Sequence, residues 1–229
     1  MFSKNRFRGW MCAILIACLN IQLFAQVISI EPEIHMLALG DSYTIGESVE
    51  RTERWPHQFV DELKREGIVA HDPDYMATTG WTTRDLLTGI AGQLNTDKDY
   101  NLVSILIGVN NQYQGIPFST YEPDLREIIE FALSLVDGDS SKVFILSIPD
   151  YAFTPFGQGK ENISRELDAY NAVNKRLARE YHLAWVDVTP QSRKGLENPK
   201  LVAEDGLHPS AKQYALWVRE IRPLLALPE

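Results

Sequence analysis

The chain has 229 residues, of which 45% are hydrophobic and 23% charged. That balance excludes a mostly disordered chain, a collagen-like repeat and a small disulfide scaffold, and at about 100–200 residues per domain one α/β unit can fill the length. A net charge of −9 would be repelled by a phosphate backbone, which speaks against nucleic acid as a partner.

The first 25 residues read as a signal peptide. Lys4, Arg6 and Arg8 form a basic start, an apolar stretch runs from Trp10 to Phe24 with breaks only at Asn20 and Gln22, and Ala25 supplies a small residue before the cut. The stretch falls short of the roughly 20 apolar residues of a spanning helix. Cleavage after Ala25 and an extracytoplasmic location, secreted or periplasmic, are therefore expected. Leu15-Ile16-Ala17-Cys18 offers a second outcome, because it resembles a lipoprotein box that would carry lipid on Cys18. The apolar run from Leu19 to Ile30 counts against the polar tether such a lipoprotein needs. Membrane attachment is expected only through Cys18 or an uncleaved segment. Cys12 and Cys18 are the only cysteines, so residues 26–229 hold no thiol for a disulfide, a nucleophile or a metal.

From residue 26 onward, apolar runs alternate with amphipathic stretches. Ile34 to Leu39 (IHMLAL) predicts a buried strand ending at Gly40. Arg54 to Glu66 predicts a helix with Phe59, Val60 and Leu63 on one face, stopped at Gly67. Pro73 to Ala77 is a short second strand, and Thr83 to Leu94 a helix. Leu102 to Ile107 (LVSILI) is a strand stopped at Gly108. Thr120 to Val136 follows as a helix with Leu125, Ile128, Ile129, Ala132 and Leu135 at helical spacing. Val143 to Ile148 (VFILSI) is the fourth strand. Ile163 to Tyr181 is a helix with Leu167, Tyr170, Val173, Asn174 and Leu177 along one stripe. Leu183 to Val188 is the last strand, and Pro209 to Leu225 the closing helix, broken near Pro223.

Five strands that alternate with helices predict a parallel sheet. Strands that are apolar throughout predict a sheet covered on both faces. The expected fold is a three-layer α/β/α, flavodoxin-like domain with a five-stranded parallel sheet. Sites in such sheets form beyond the carboxyl ends of the strands, so the residues just after each strand carry the functional information.

Gly40-Asp41-Ser42-Tyr43 follows the first strand, and Ser42 stands where the chain leaves the sheet. A helical turn there would turn free N–H groups toward developing negative charge. A capping serine explains the same tripeptide. Thr79-Gly80-Trp81 follows the second strand, where a glycine leaves a backbone N–H unobstructed. Gly108-Val109-Asn110-Asn111 follows the third, and an asparagine there is either an N–H donor into the cleft or a turn residue. Asp205-Gly206-Leu207-His208-Pro209 places an acid three residues before a histidine. Pro209 suits the first position of a helix, which would set His208 at its start. A carboxylate on one imidazole nitrogen leaves the other free as a base toward a serine. A surface turn is the competing reading of Asp205 and His208 alone. A serine, a base with its orienting acid and oxyanion donors together make a complete acyl-transfer set.

These blocks resemble the four blocks of the SGNH hydrolases, also called GDSL esterases and lipases, and the resemblance spans roughly Ile34 to Leu225. It departs in the third block, where the family often has Gly-x-Asn-Asp and this chain has Asn111. By resemblance, Ser42 is the nucleophile, His208 the general base and Asp205 its orienting acid. The backbone N–H groups of Ser42 and Gly80 and the side chain of Asn110 form the oxyanion hole. The implied reaction is hydrolysis of a carboxylic ester through an acyl-serine, with no metal or organic cofactor. An acetylated carbohydrate is the favoured substrate; a lysophospholipid or another short acyl ester would use the same triad, as would an acyltransferase.

Asn111, Tyr113 and Tyr151 are expected to contact substrate, with Gln112, Phe153 and Phe156 as further rim candidates. Trp55 and Trp81 read as packing residues. His35, His57, His71 and His182 read as structural, since no His/Asp/Glu cluster shows the short spacing of a zinc site. The reading from another class is a non-catalytic module, either flavodoxin-like or carbohydrate-binding. Ser42-Tyr43-Thr44-Ile45-Gly46 supplies only a thin phosphate loop for the first, and both leave Asp205 and His208 without a purpose.

Overall fold

The computed structural model describes residues 26–93 and 98–228. The expected signal peptide, Cys12 and Cys18 therefore lie outside the described residues, as does the predicted helix end at Leu94. In chain order the strands are β1 (Ile28–Ser29), β2 (Glu33–Ile34), β3 (Met36–Gly40), β4 (Val69–Ala70), β5 (Asp74–Ala77), β6 (Leu102–Leu106), β7 (Val143–Leu146), β8 (Ala184–Val186) and β9 (Leu225–Ala226). The helices are α1 (Ser42–Ile45), α2 (Trp55–Arg65), α3 (Thr83–Gln93), α4 (Val109–Tyr113), α5 (Tyr121–Ser134), α6 (Glu161–Glu180), α7 (Thr189–Ser192) and α8 (Ala211–Ile221).

The main sheet has five parallel strands in the order β5-β3-β6-β7-β8. Every residue of β3, β6 and β7 is buried, which is why their sequences are continuously apolar rather than alternating. Helices α2 and α8 pack together, while α3 packs on α5 and α5 on α6. Right-handed crossovers put these two groups on opposite faces. The apolar stripes read from the sequence face the sheet: Phe59, Val60 and Leu63 of α2, and Leu125, Ile128, Ile129 and Ala132 of α5, are all buried. Trp55 is a core residue, meeting Phe144 of β7 edge-on at 6.3 Å between ring centres.

Three two-residue strands, β1, β4 and β9, escape sequence reading, and the strand predicted from Ile34 to Leu39 is split, its Ile34 falling in β2 and the rest in β3, with an exposed His35 between them. β1 pairs with β9, joining the two ends of the described chain, and β2 pairs with β4. The closing helix also differs from expectation. It begins at Ala211 with Ser210 as its cap, and Pro209 bridges Val202 in the preceding loop. His208 is therefore held by a loop and not by the first turn of a helix. The expected break near Pro223 is present as a 3₁₀ turn over Arg222–Leu224.

The chain leaves β3 toward β5 on one side, and later strands are laid down on the other side, beyond β6. The crevice outside the carboxyl ends of β3 and β6 is thus the topological switch point, the place where open α/β sheets bind ligands.

Candidate active site

The loop after β3 is shaped by close approach. A Cβ on Gly40 would lie 2.1 Å from Thr44 Oγ1 and 2.4 Å from the Leu106 carbonyl oxygen, so only glycine fits there. Asp41 then caps α1, its carboxylate accepting the Tyr43 N–H at 3.0 Å. Ser42 becomes the first residue of that helical turn, and its backbone N–H is one of those an α-helix leaves without an internal partner. Asp41 is fully buried, and loss of hydration pushes its carboxyl up to about 7 despite the backbone N–H bonds it accepts.

Asp205 organises the opposite wall. Its Oδ1 accepts the backbone N–H groups of Leu207 at 2.9 Å and His208 at 3.0 Å. Its Oδ2 meets His208 Nδ1 at 2.6 Å and accepts the Ser48 hydroxyl at 2.6 Å. Partial burial pushes this carboxyl up. The bonds from Ser48, from His208 and from the two backbone amides outweigh that effect and take it down to about 2. An ionised Asp205 requires the imidazole proton on Nδ1, which leaves Nε2 as an acceptor. That nitrogen lies 3.0 Å from Ser42 Oγ. The chain thus brings Ser42, His208 and Asp205 into one line of hydrogen bonds across 166 residues. The Tyr43 ring braces the His208 ring edge-on at 5.6 Å.

Asn110 stands on α4, directly after β6. Gly108 makes the turn with φ of +127°, and a Cβ there would strike the Tyr121 ring at 2.6 Å. One Asn110 N–H donates to the Trp81 carbonyl at 3.0 Å, which orients the amide. An asparagine amide has two N–H donors, so the second is available to a ligand. Gly80 has φ of +82° with open space where a Cβ would be. Here glycine answers a demand of backbone conformation, not of crowding.

A cavity of about 250 Å³ opens over these groups. Ser42, Gly80, Asn110 and His208 line its floor, with Tyr113, Tyr151 and Phe156 among its walls. The three rings contact one another with centres 6.0–6.2 Å apart. Tyr113 and Phe156 are exposed, while Tyr151 is buried and anchored by its hydroxyl to Gln112 Oε1 at 2.8 Å. A reacting carbonyl over Ser42 would find a nucleophile, a base and N–H donors on one side and aromatic surface on the other.

Three expectations need correction. Asn111 does not line the cavity. It is buried, its Oδ1 accepts the Thr83 N–H at 3.0 Å, and its Nδ2 donates to Thr83 Oγ1 at 2.8 Å. It ties α4 to the start of α3, and Thr83 continues the link to Asp124 at 2.9 Å. Phe153 packs against the core instead of lining the cavity. Gln112 acts as a prop, holding Tyr151 on one side and Glu166 on the other at 2.7 Å. Sequence reasoning missed Ser48, a non-glycine residue with φ of +65°. Its sequence neighbourhood carries no sign that it reaches Asp205; the positive φ is the only signal, and it is visible in the structure alone.

The family model for GDSL-like lipases and acylhydrolases matches residues 38–216. No curated protein matches the sequence. Among solved structures, that of TesA is similar with a TM-score of 0.66 at 19% identity, covering 83% of this chain and 97% of that one. A lipase/acylhydrolase from Enterococcus faecalis gives 0.66 at 20%, covering 83% and 94%. The acetylxylan esterase Axe2 from Geobacillus stearothermophilus gives 0.65 at 22%, covering 86% and 94%. At such identities these likenesses speak for the fold. The family match spans the strands and loops that carry Ser42, Asn110 and His208, and by it this chain is a carboxylic ester hydrolase and a member of the GDSL-like lipase/acylhydrolase family.

Proposed function

We propose that the protein is an extracytoplasmic serine esterase that removes acetyl groups from a carbohydrate. The observation that carries this reading is the Asp205–His208–Ser42 line opening onto a small cavity walled by aromatic rings. Ser42 Oγ attacks the ester carbonyl while His208 Nε2 takes its proton. The oxyanion that forms is held by the N–H groups of Ser42, Gly80 and the Asn110 side chain. Collapse breaks the bond to the alcohol, which leaves with the proton from His208, and acyl-Ser42 remains. Water, deprotonated by His208, then attacks acyl-Ser42, and the acid departs as Ser42 recovers its proton.

A cavity of about 250 Å³ suits a short acyl group. The exposed rings of Tyr113 and Phe156 offer flat faces to a sugar. The fold likeness to an acetylxylan esterase is in keeping with that substrate. The basic-then-apolar sequence of residues 1–25 supports export, and the N-terminal sequence of the mature protein would test it. A second reading, a lysophospholipase or short-chain lipase, is favoured by Val109 and Leu207, which with the rings extend the apolar lining.

The test compares hydrolysis of p-nitrophenyl acetate, butyrate and octanoate, and of acetylated xylan, by wild type and Ser42→Ala. The expected result is acetate preferred, xylan deacetylated, and both activities abolished in Ser42→Ala. Preference for octanoate would turn the assignment to the lipase reading. Activity retained in Ser42→Ala would remove Ser42 from the mechanism.

A further inference from the structure

At the end of the sheet opposite the cavity, Glu33, His35 and His71 converge. One ligand atom from each lies within 4.8 Å of the others. His71 Nε2 is 2.7 Å from Glu33 Oε1, and His35 Nε2 is 3.4 Å from the same oxygen. The two imidazoles stack with centres 4.1 Å apart and planes 17° apart. We infer that these three side chains form a divalent transition-metal site, with zinc as its first candidate ligand.

Strand pairing is what assembles the cluster. Residues two apart in an extended chain project to one face, which puts Glu33 and His35 together. β2 and β4 pair in parallel with Ile34 opposite Ala70, so the next step of the register sets His71 beside His35, and the His71 N–H to Ile34 carbonyl bond of 3.0 Å fixes it there. His35 is held in turn by its backbone N–H, which donates to Asn101 Oδ1 at 2.9 Å. The ligands thus come from an i, i+2 pair and its cross-strand neighbour 36 and 38 residues away. No short sequence spacing marks them, which is why they read as structural histidines in the sequence.

The donor set suits zinc. Two imidazole nitrogens and one carboxylate oxygen, with water in the fourth position, make a tetrahedral shell. Bond lengths of about 2.0–2.2 Å place tetrahedral donors about 3.3–3.5 Å apart, so binding requires Glu33 to turn outward from its 2.7 Å contact and the two stacked imidazoles to swing out of their near-parallel arrangement until both ring nitrogens point at one ion, a movement open to exposed side chains. A cavity beside the histidines is lined by Asp72, Asp74 and Asp99 as well as Lys98, so the surroundings favour a cation. All three donors are exposed, and the metal can exchange with solvent.

The site is separate from the chemistry. His35 precedes Met36 and Ser42 follows Gly40, so the five residues of β3 stand between them, about 17 Å of extended chain. A bound ion would clip β2 to β4, and anything that binds only the folded state raises its stability, while turnover at Ser42 stays as it was.

Titration calorimetry with Zn²⁺ alone tests the inference on the purified wild type, His35→Ala, His71→Ala and His208→Ala. Loss of even an outer partner of a ligand costs about 10–100-fold in affinity, so loss of a ligand should cost at least tenfold. The expected result is one site in wild type and His208→Ala, weakened at least tenfold in His35→Ala and His71→Ala. The two weakened variants, being altered only at exposed side chains, should hydrolyse ester at the wild-type rate without metal, which shows that they fold. Zinc should also raise the melting temperature of wild type more than that of His71→Ala. Absence of binding in wild type at millimolar zinc, equal affinity in all four proteins, or binding lost only in His208→Ala would each overturn the inference. The last outcome would place the ion on the imidazole beside Ser42.

Discussion

Ser48 holds a conformation that its own backbone disfavours. A non-glycine residue in the left-handed region costs on the order of 1–3 kcal/mol, and such residues cluster at active sites. What the strain achieves here is a hydroxyl aimed at Asp205 Oδ2 at 2.6 Å, the same oxygen that faces His208 Nδ1. Ser48 touches neither Ser42 nor the space above it, so it is a positioning residue. Ser48→Gly separates the two effects, because glycine keeps the φ and loses the hydroxyl. A net hydrogen bond is worth about 0.5–1.5 kcal/mol, so kcat should fall roughly twofold to twelvefold with KM unchanged. The melting temperature should stay level or rise. A merely structural role would lower stability and leave kcat alone, and steady-state kinetics beside a thermal melt distinguishes the two. The role proposed for Asn110 is different, because it is a contact to the reacting oxygen itself. Removing one oxyanion donor costs about 10²–10³ in rate, and Asn110→Ala should lose that much kcat while its circular dichroism spectrum remains that of the wild type.

At the scale of elements, the β3–α1 junction decides where Ser42 stands. Gly40→Ala would drive a methyl into Thr44 Oγ1 and, more seriously, into the backbone oxygen of Leu106 on the neighbouring strand. Overpacking of this kind costs typically about 1–3 kcal/mol. The variant should unfold at lower urea and turn over more slowly, since relief requires β3 and α1 to part. Urea unfolding with unchanged midpoint would show that the junction has room to spare. The same junction shows what was legible in the sequence. Strands β3, β6 and β7 could be read because both faces of the sheet are covered, which leaves unbroken apolar runs. Strands β1, β4 and β9 could not, since two residues carry no period, and β2 was read only as the start of β3. Ser42, Gly80 and Asn110 could be singled out because a parallel sheet gathers whatever follows its strands, whereas Asp205 and His208, well past β8, were singled out by an acid three residues before a histidine and by resemblance. Asn111 was misassigned because the sequence gives its residue type and not the direction of its side chain. Successive side chains on a helix point about 100° apart, so α4 turns Asn110 toward the cavity and Asn111 toward Thr83. Pro209 misled for a related reason. A proline suits a helix start, yet the Asp205 carboxylate had already committed the chain to a turn, and Ser210 took the cap.

For the whole molecule, the switch-point architecture carries an electrostatic cost. Placing the Ser42 turn at the centre of the sheet buries Asp41 completely, and a buried carboxylate is disfavoured in its charged form. Its folded value of about 7 lies above the ordinary 3.8. The favourable contribution to folding is then complete below about 3.8 and is lost as pH rises through about 7, because the unfolded chain releases the proton first. Asp205 has the opposite sign. Its folded value of about 2 lies below 3.8, so its contribution is complete above about 3.8 and is lost only as pH falls toward 2. Between pH 4 and pH 7 Asp205 is therefore constant and Asp41 supplies a decline. Asp41→Asn retains an oxygen to accept the Tyr43 N–H and cannot ionise. Melting temperatures of wild type and Asp41→Asn at pH 4, 5.5, 7 and 8 should show the difference moving steadily in the variant's favour up to about pH 7 and then levelling. A difference that is the same at every pH would mean that Asp41 ionises in the folded protein as readily as in the unfolded chain. The backbone amides around it would then be enough to replace water, and the burial of the Ser42 turn would be free of electrostatic penalty.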